Sequence, residues 1–100
     1  GTYVVNTTSL CSNVKGFKGA TPVEVYIKNN KVIKVEALPN REGPKFYDKV
    51  KQGLFPKFNG MKLSKAAKAE SLDGVTGATY TSRAVKENIA AAVAYYKRNK

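Results

Sequence analysis

The chain is expected to fold as an α+β domain, with a small antiparallel sheet built around one central hairpin. Two or three helices, including a long C-terminal one, should cover one face of that sheet. Three observations predict this. Val23, Val25 and Ile27 alternate with Glu24, Tyr26 and Lys28, and after Asn29-Asn30 a second run alternates Ile33, Val35 and Ala37 with Lys34 and Glu36. Phe46, Val50 and Leu54 then fall at helical spacing. Near the C-terminus Val85, Ile89, Ala92, Val93 and Tyr96 form an apolar stripe of helical period.

Taken in order, Thr2-Tyr3-Val4-Val5-Asn6-Thr7-Thr8 is β-branched and aromatic, which favours a strand. Ser12 to Thr21 is rich in Gly, Ser and Asn, with breaks at Gly16-Phe17 and Gly19-Ala20, so a loop or bent strand is expected. The Asn29-Asn30 pair tolerates the positive φ of a tight primed turn, which makes the two alternating runs a hairpin. Pro39 and Pro44 end the second strand and delay the next helix. That helix carries Phe46, Val50 and Leu54, with Tyr47 and Lys51 on a helical face as well, and Gly53 weakens its end. Phe55 to Met61 reads as a turn region, and Ser64 as the cap of a short helix through Ala69. The last helix is expected from Tyr80 or Thr81 to Arg98, with Lys97, Arg98 and Lys100 at its negative dipole end.

The chain has 100 residues, so one domain spanning 1–100 with a single modest core is expected, residues 1–15 forming an N-terminal strand and loop. Composition excludes several chemistries. There is no His and only one Cys, which removes Cys/His zinc sites and Ser-His-Asp or Cys-His nucleophilic triads. Cys11 cannot form an internal disulfide and reads as a small buried residue. No apolar run approaches the roughly 18 residues that span a bilayer. No signal peptide is visible, and a leading Gly1 would fit a cleavage scar. Eighteen Lys and Arg against seven Asp and Glu give a net charge of +11. The lysines are scattered through every segment, with no three basic residues adjacent, which reads as a solvated surface rather than a polyanion groove.

Chemistry is best placed at the turn before the last helix. Thr76-Gly77-Ala78-Thr79-Tyr80-Thr81-Ser82 is a hydroxyl- and Gly-rich segment opening a long helix, with Arg83 and Lys86 one turn in. Helix N-termini present N–H groups and a partial positive charge, and small residues let a phosphate approach. The plainer reading is that Thr81 or Ser82 is an N-cap and the remainder a turn.

Asp73-Gly74-Val75-Thr76-Gly77-Ala78-Thr79 resembles the flavinylation motif of the FMN-binding domain family, which runs Asp, two variable residues, Ser or Thr, Gly, Ala, Thr. The family includes the covalent-flavin subunits of the sodium-pumping NADH:quinone reductase and of the Rnf complex, and small free-standing bacterial domains. The resemblance covers residues 16 to 98 in element order. It implies that a flavin transferase joins FMN through its phosphate to the last Thr of the motif, here Thr79. Gly77, Ala78, Thr76 and Ser82 would then border the linkage. Asp73 would serve transferase recognition or metal-assisted transfer, or else close the turn by an Asx hydrogen bond. Relatives in the membrane complexes carry a transmembrane helix and a Glu-Thr-Pro-Gly loop near the flavin. The counterpart here, Glu42-Gly43-Pro44-Lys45, keeps only Glu42 and Pro44. Phe46, Tyr47, Phe55, Phe58 and Tyr80 could border the flavin ring or fill the core.

The resemblance implies an electron-transfer module, matured outside the cytoplasm in the periplasm or on the outer face of a bacterial membrane. Its partners would be a flavin transferase and a redox donor and acceptor, with no nucleic acid, and the dispersed positive charge would help it meet an acidic partner or an anionic membrane surface. Such a chain is a redox carrier rather than a stand-alone enzyme, and made without its transferase it would fold with an empty site. The competing readings are a basic module binding nucleic acid or another polyanion, and a reductase holding FMN without a covalent bond. The first ignores the motif, and no dinucleotide fingerprint accompanies the second.

Overall fold

A computed structural model describes residues 1–16 and 18–99. The readings made of Phe17 and Lys100 lie outside the described residues. Strands β1 (Tyr3–Asn6), β2 (Val23–Lys28), β3 (Lys31–Ala37) and β4 (Met61–Lys62) form one sheet in the order β1-β2-β3-β4. Each neighbouring pair is antiparallel. The helices are α1 (Pro44–Gly53), α2 (Leu63–Ala66) and α3 (Thr79–Asn99), with 3-10 turns at Phe55–Phe58 and Ala69–Ser71. This is the expected α+β arrangement, and α3, at 21 residues, is its longest element.

The hairpin turns where expected. Asn29 and Asn30 have φ of 53° and 63°, the left-handed pair that a two-residue primed turn requires. The alternation in β3 does not run as the sequence suggests. Tyr26 pairs with Lys34 but Ile27 pairs with Val32, so Ile33 is an extra residue in the ladder. Such a bulge flips the faces beyond it. Val32 and Val35 therefore enter the core, while Ile33 is 39% exposed and Ala37 half-buried.

One face of the sheet, Val5, Val23, Val25, Ile27, Val32 and Val35, packs against Tyr47, Val50 and Leu54, the turn residues Phe55 and Phe58, and Val85, Ile89, Ala92 and Val93 of α3. Each such apolar side chain contributes about 1.5–3 kcal/mol on burial. The stripe on α3 is the expected one, with Tyr96 half-buried and stacked edge-on to Tyr3 at 5.0 Å. Polar groups pin β1 to this core. Thr7 Oγ1 accepts from Val23 N (2.9 Å) and donates to Asn88 Oδ1 (2.5 Å). Asn88 Nδ2 in turn donates to the Ala84 carbonyl (2.8 Å).

Several boundaries differ from expectation. Pro44 opens α1 instead of delaying it, since its fixed φ suits the first helical position. Starting there turns Tyr47, Val50 and Leu54 inward and leaves Phe46 47% exposed. The segment read as a turn holds the Phe55–Phe58 3-10 turn and ends in β4, tied by Gly60 N to Val32 O (2.7 Å) and Leu63 N to Asn30 O (3.1 Å). The helix expected from Ser64 through Ala69 is instead the single turn α2 followed by the second 3-10 turn. Ser64 lies inside α2, and Lys62 occupies the cap position with no side-chain hydrogen bond.

Candidate functional site

The loop 73–78 folds back onto the start of α3 through three short hydrogen bonds. Val75 N donates to Ser82 Oγ (3.0 Å), Ala78 N to Val75 O (3.0 Å), and Ser82 N to Ala78 O (2.9 Å). Gly77 sits at φ +84°, a conformation that a side chain would strain, and this reversal aims the Ala78 carbonyl into the helix. Thr79 is thereby the first residue of α3, ahead of the expected start. Thr81 and Ser82 are not N-caps. Both lie inside the first turn and are buried, at 2% and 1% exposure. The Ser82 hydroxyl instead holds the loop, and the Thr81 hydroxyl points into the protein.

Thr79 is exposed, and its hydroxyl has no protein hydrogen-bond partner among the described residues. It stands between two clefts of different character. One, of about 400 Å³, is lined by Thr76, Thr79, Arg83, Lys86, Glu70 and Glu87, with Gly74 and Val75 beneath. The other, of about 320 Å³, is lined by Phe46, Gly77, Thr79, Tyr80 and Thr81. Phe46 and Tyr80 are 47% and 57% exposed, the two most exposed large apolar side chains among the described residues. Of the five aromatics considered from sequence, these two border the second cleft, while Tyr47, Phe55 and Phe58 are core residues.

Cationic groups surround the junction. Lys86 Nζ is anchored by the Leu72 carbonyl at 2.7 Å. The Arg83 guanidinium lies 5.7 Å from the Tyr80 ring centroid. Lys49, which sequence reading left among the dispersed lysines, reaches across from α1. Its Nζ lies 3.6 Å from where a Cβ on Gly77 would be, and 5.9 Å from the Phe46 ring centroid. Lys49 follows Phe46 by three residues, so the two share a helical face, but only the packing of α1 beside α3 aims that face at Gly77.

The remaining sequence candidates divide. Glu42 is buried (5% exposed) and faces the protein. Its Oε1 accepts from Thr81 Oγ1 at 2.8 Å and its Oε2 from Lys18 N at 2.6 Å. It thus joins the N-terminal loop to the first turn of α3, directly behind Thr79. Pro44 is exposed and lines a separate depression with Leu38 and Tyr47. Asp73 is exposed on the loop and lines neither cleft beside Thr79. Burial, and then the nearby Glu42, push the Tyr47 phenol well above the usual tyrosine range. Cys11 is buried, and desolvation with Glu87 close by pushes its thiol up, so it is an unreactive thiol.

The arrangement suits a ligand with an anionic end and a flat apolar end. An exposed alcohol on the first turn of a long helix, sharing a cleft with Arg83 and Lys86 and also with Glu70 and Glu87, can carry a phosphate ester at the positive end of the helix. The chain has no His, so no imidazole stands beside the Thr79 hydroxyl. A model of the FMN-binding domain family matches residues 16–94 of the chain. No curated protein matches it. The matched segment contains the loop, both clefts and Glu42. It leaves out β1, which pairs with β2 from Tyr3 to Asn6 and completes the sheet.

Proposed function

The chain belongs to the FMN-binding domain family, and from that premise we propose that it is an electron-transfer module carrying FMN esterified through its phosphate to the Thr79 hydroxyl. The observation that carries this reading is the position of Thr79. Its exposed side chain lies where a polar cleft of about 400 Å³, holding Arg83 and Lys86 as well as Glu70 and Glu87, meets an aromatic cleft of about 320 Å³. A flavin mononucleotide has an anionic end and a planar aromatic end, and these two clefts match them.

The residues present fit the group. Arg83, Lys86 and Lys49 offset the charge of a phosphodiester, aided by the positive end of α3. The Thr76 hydroxyl, on the same cleft, would donate to a phosphate oxygen. Gly77 and Ala78 would leave the linkage uncrowded. Phe46 and Tyr80, which line the other cleft, would hold the planar ring. Glu42 and Ser82 hold the turn that presents Thr79, and do not themselves touch the ligand. The bound flavin supplies the electron transfer, and the protein supplies attachment, orientation and surroundings. The exposed Asp73 is a recognition residue for the flavin transferase that makes the bond.

A redox donor and a redox acceptor meet the flavin at the open Phe46–Tyr80 side. The setting is the periplasm or the outer face of a bacterial membrane, a reading supported by the motif's likeness to domains flavinylated there. Covalent attachment keeps the cofactor where free flavin is scarce. The test is co-expression with a flavin transferase followed by intact-mass measurement under denaturing conditions. The chain should gain the mass of one FMN, Thr79→Ser should retain the adduct and Thr79→Ala should lose it. An adduct persisting in Thr79→Ala refutes the attachment site, and flavin released by denaturation supports the non-covalent reading instead.

A further inference from the structure

The sheet register lines up three lysines that the sequence scatters. Lys28 of β2 stands opposite Lys31 of β3, and Lys31 stands opposite Lys62 of β4. Cross-strand partners project from the same face, so with strands about 4.8 Å apart three ammonium-bearing side chains leave a patch about 10 Å wide. Lys97, from the last turn of α3, joins Lys31 and Lys62 on an open trough of about 570 Å³ that also holds Asn29, Asn30 and Ser64. All four lysines are exposed. Among the described residues none of them has an ion-pair partner, the two ion pairs being Lys34–Glu36 and Lys51–Asp48. Like charges directly opposite in a ladder are destabilising, so this row carries a cost to the fold that no ion pair among the described residues offsets.

We propose that the Lys28–Lys31–Lys62 row with Lys97 is a docking surface for an anionic phospholipid membrane. The trough is lined by lysines, amides, a hydroxyl and Leu63, with no arginine and no aromatic side chain. Flexible point charges of this kind suit many mobile phosphate headgroups better than one rigid carboxylate or phosphate. The patch also lies at the far end of α3 from Thr79. Eighteen helical steps separate Lys97 from Thr79, about 27 Å at 1.5 Å per residue. A redox protein seated on the lysines would be a helix length from residue 79. A membrane seated there leaves the Thr79 end free and pointing outward. The lipid contact stands on the lysine geometry alone, while the benefit of that orientation rests on the flavin reading.

The test is sedimentation with vesicles of phosphatidylcholine mixed with phosphatidylglycerol, against vesicles of phosphatidylcholine alone. Each lysine near an anionic surface contributes about a fivefold gain in partitioning. Lys31→Gln/Lys62→Gln should therefore weaken binding to the mixed vesicles about 25-fold, and Lys28→Gln/Lys97→Gln about as much. Lys15→Gln/Lys45→Gln, with the same change in net charge, should weaken it less than about threefold. Removing like-charge repulsion should leave the thermal midpoint of Lys31→Gln/Lys62→Gln no lower than that of the parent, which shows the fold intact. Thr79→Ala should bind vesicles as the parent does, which separates this result from the fate of the flavin. Equal losses in all three lysine pairs, or no preference for phosphatidylglycerol, would overturn the proposal. So would capture by polyglutamate through the same lysines without vesicle binding, which would make the partner an acidic protein.

Discussion

Replacing Gly16 with Ala tests the buried carboxylate behind Thr79 more sharply than changing the carboxylate itself. A Cβ on Gly16 would overlap Glu42 Oε1 and lie 3.1 Å from its Cδ, so Glu42 must leave its seat. At least two hydrogen bonds break, from Thr81 Oγ1 at 2.8 Å and from Lys18 N at 2.6 Å. Bonds to a charged group are worth about 1.5–3 kcal/mol each. Glu42 regains water once it swings out, so the net loss should be about 3 kcal/mol, with a fall in thermal midpoint of roughly 12 °C or more for a domain of this size. Urea unfolding of the four members of a cycle, parent, Gly16→Ala, Glu42→Ala and the double variant, measures it directly. With Glu42 shortened, the nearest remaining atom is Thr21 Cγ2 at 3.3 Å, which must give by a few tenths of an ångström, so Gly16→Ala should cost about 1 kcal/mol or less, a stiffer unfolded chain offsetting part of it. The coupling should thus be about 2 kcal/mol or more. If Gly16→Ala unfolds within about 0.5 kcal/mol of the parent, or the coupling is near zero, then Glu42 does not occupy the place argued for it.

Other expectations follow from single contacts. The Tyr47 hydroxyl is buried without a hydrogen-bond partner among the described residues, so Tyr47→Phe should raise stability by about 1 kcal/mol in urea unfolding. The native state also holds the Tyr47 proton more tightly than the unfolded chain. Stability should therefore be fully present below the ordinary phenol value of 10.0 and fall as pH rises above it, and Tyr47→Phe should lose that share of the fall. Asn88→Ala removes a buried bridge between Thr7 and the Ala84 carbonyl, and should cost about 2–3 kcal/mol by the same measurement. Phe46→Ala and Tyr80→Ala change exposed rings, so each should leave stability within about 0.5 kcal/mol. In flavinylated protein the same changes should raise flavin fluorescence as the ring loses its aromatic neighbours; unchanged fluorescence in both would place the ring elsewhere.

Local signals carried much of this architecture. Asn29 and Asn30 announced their turn because few residues accept positive φ twice in succession. The stripe on α3 was legible because helical period is a property of neighbouring residues, and Val85, Ile89, Ala92 and Val93 are buried while Tyr96 is half-buried. The motif from Asp73 to Thr79 could be read because its hydroxyls and small residues are contiguous, and the loop closes on itself through Val75, Ala78 and Ser82. The short elements between residues 55 and 71 were read less well, since two- to four-residue pieces are set by the neighbours they pack against.

From the sequence alone come the α+β class, the hairpin, the long final helix and the alcohol that opens it. Each of these depends on residues close together along the chain. Only the tertiary structure decided that Val32 and not Ile33 faces the core, that Tyr47 is inside and Phe46 outside, and that Lys49 stands over Gly77. It alone turned Glu42 inward onto Thr81 and set Lys28, Lys31 and Lys62 side by side. A bulge, a helix rotation or a strand pairing joins residues far apart in sequence, and the balance of packing that selects one register leaves no mark on any short segment.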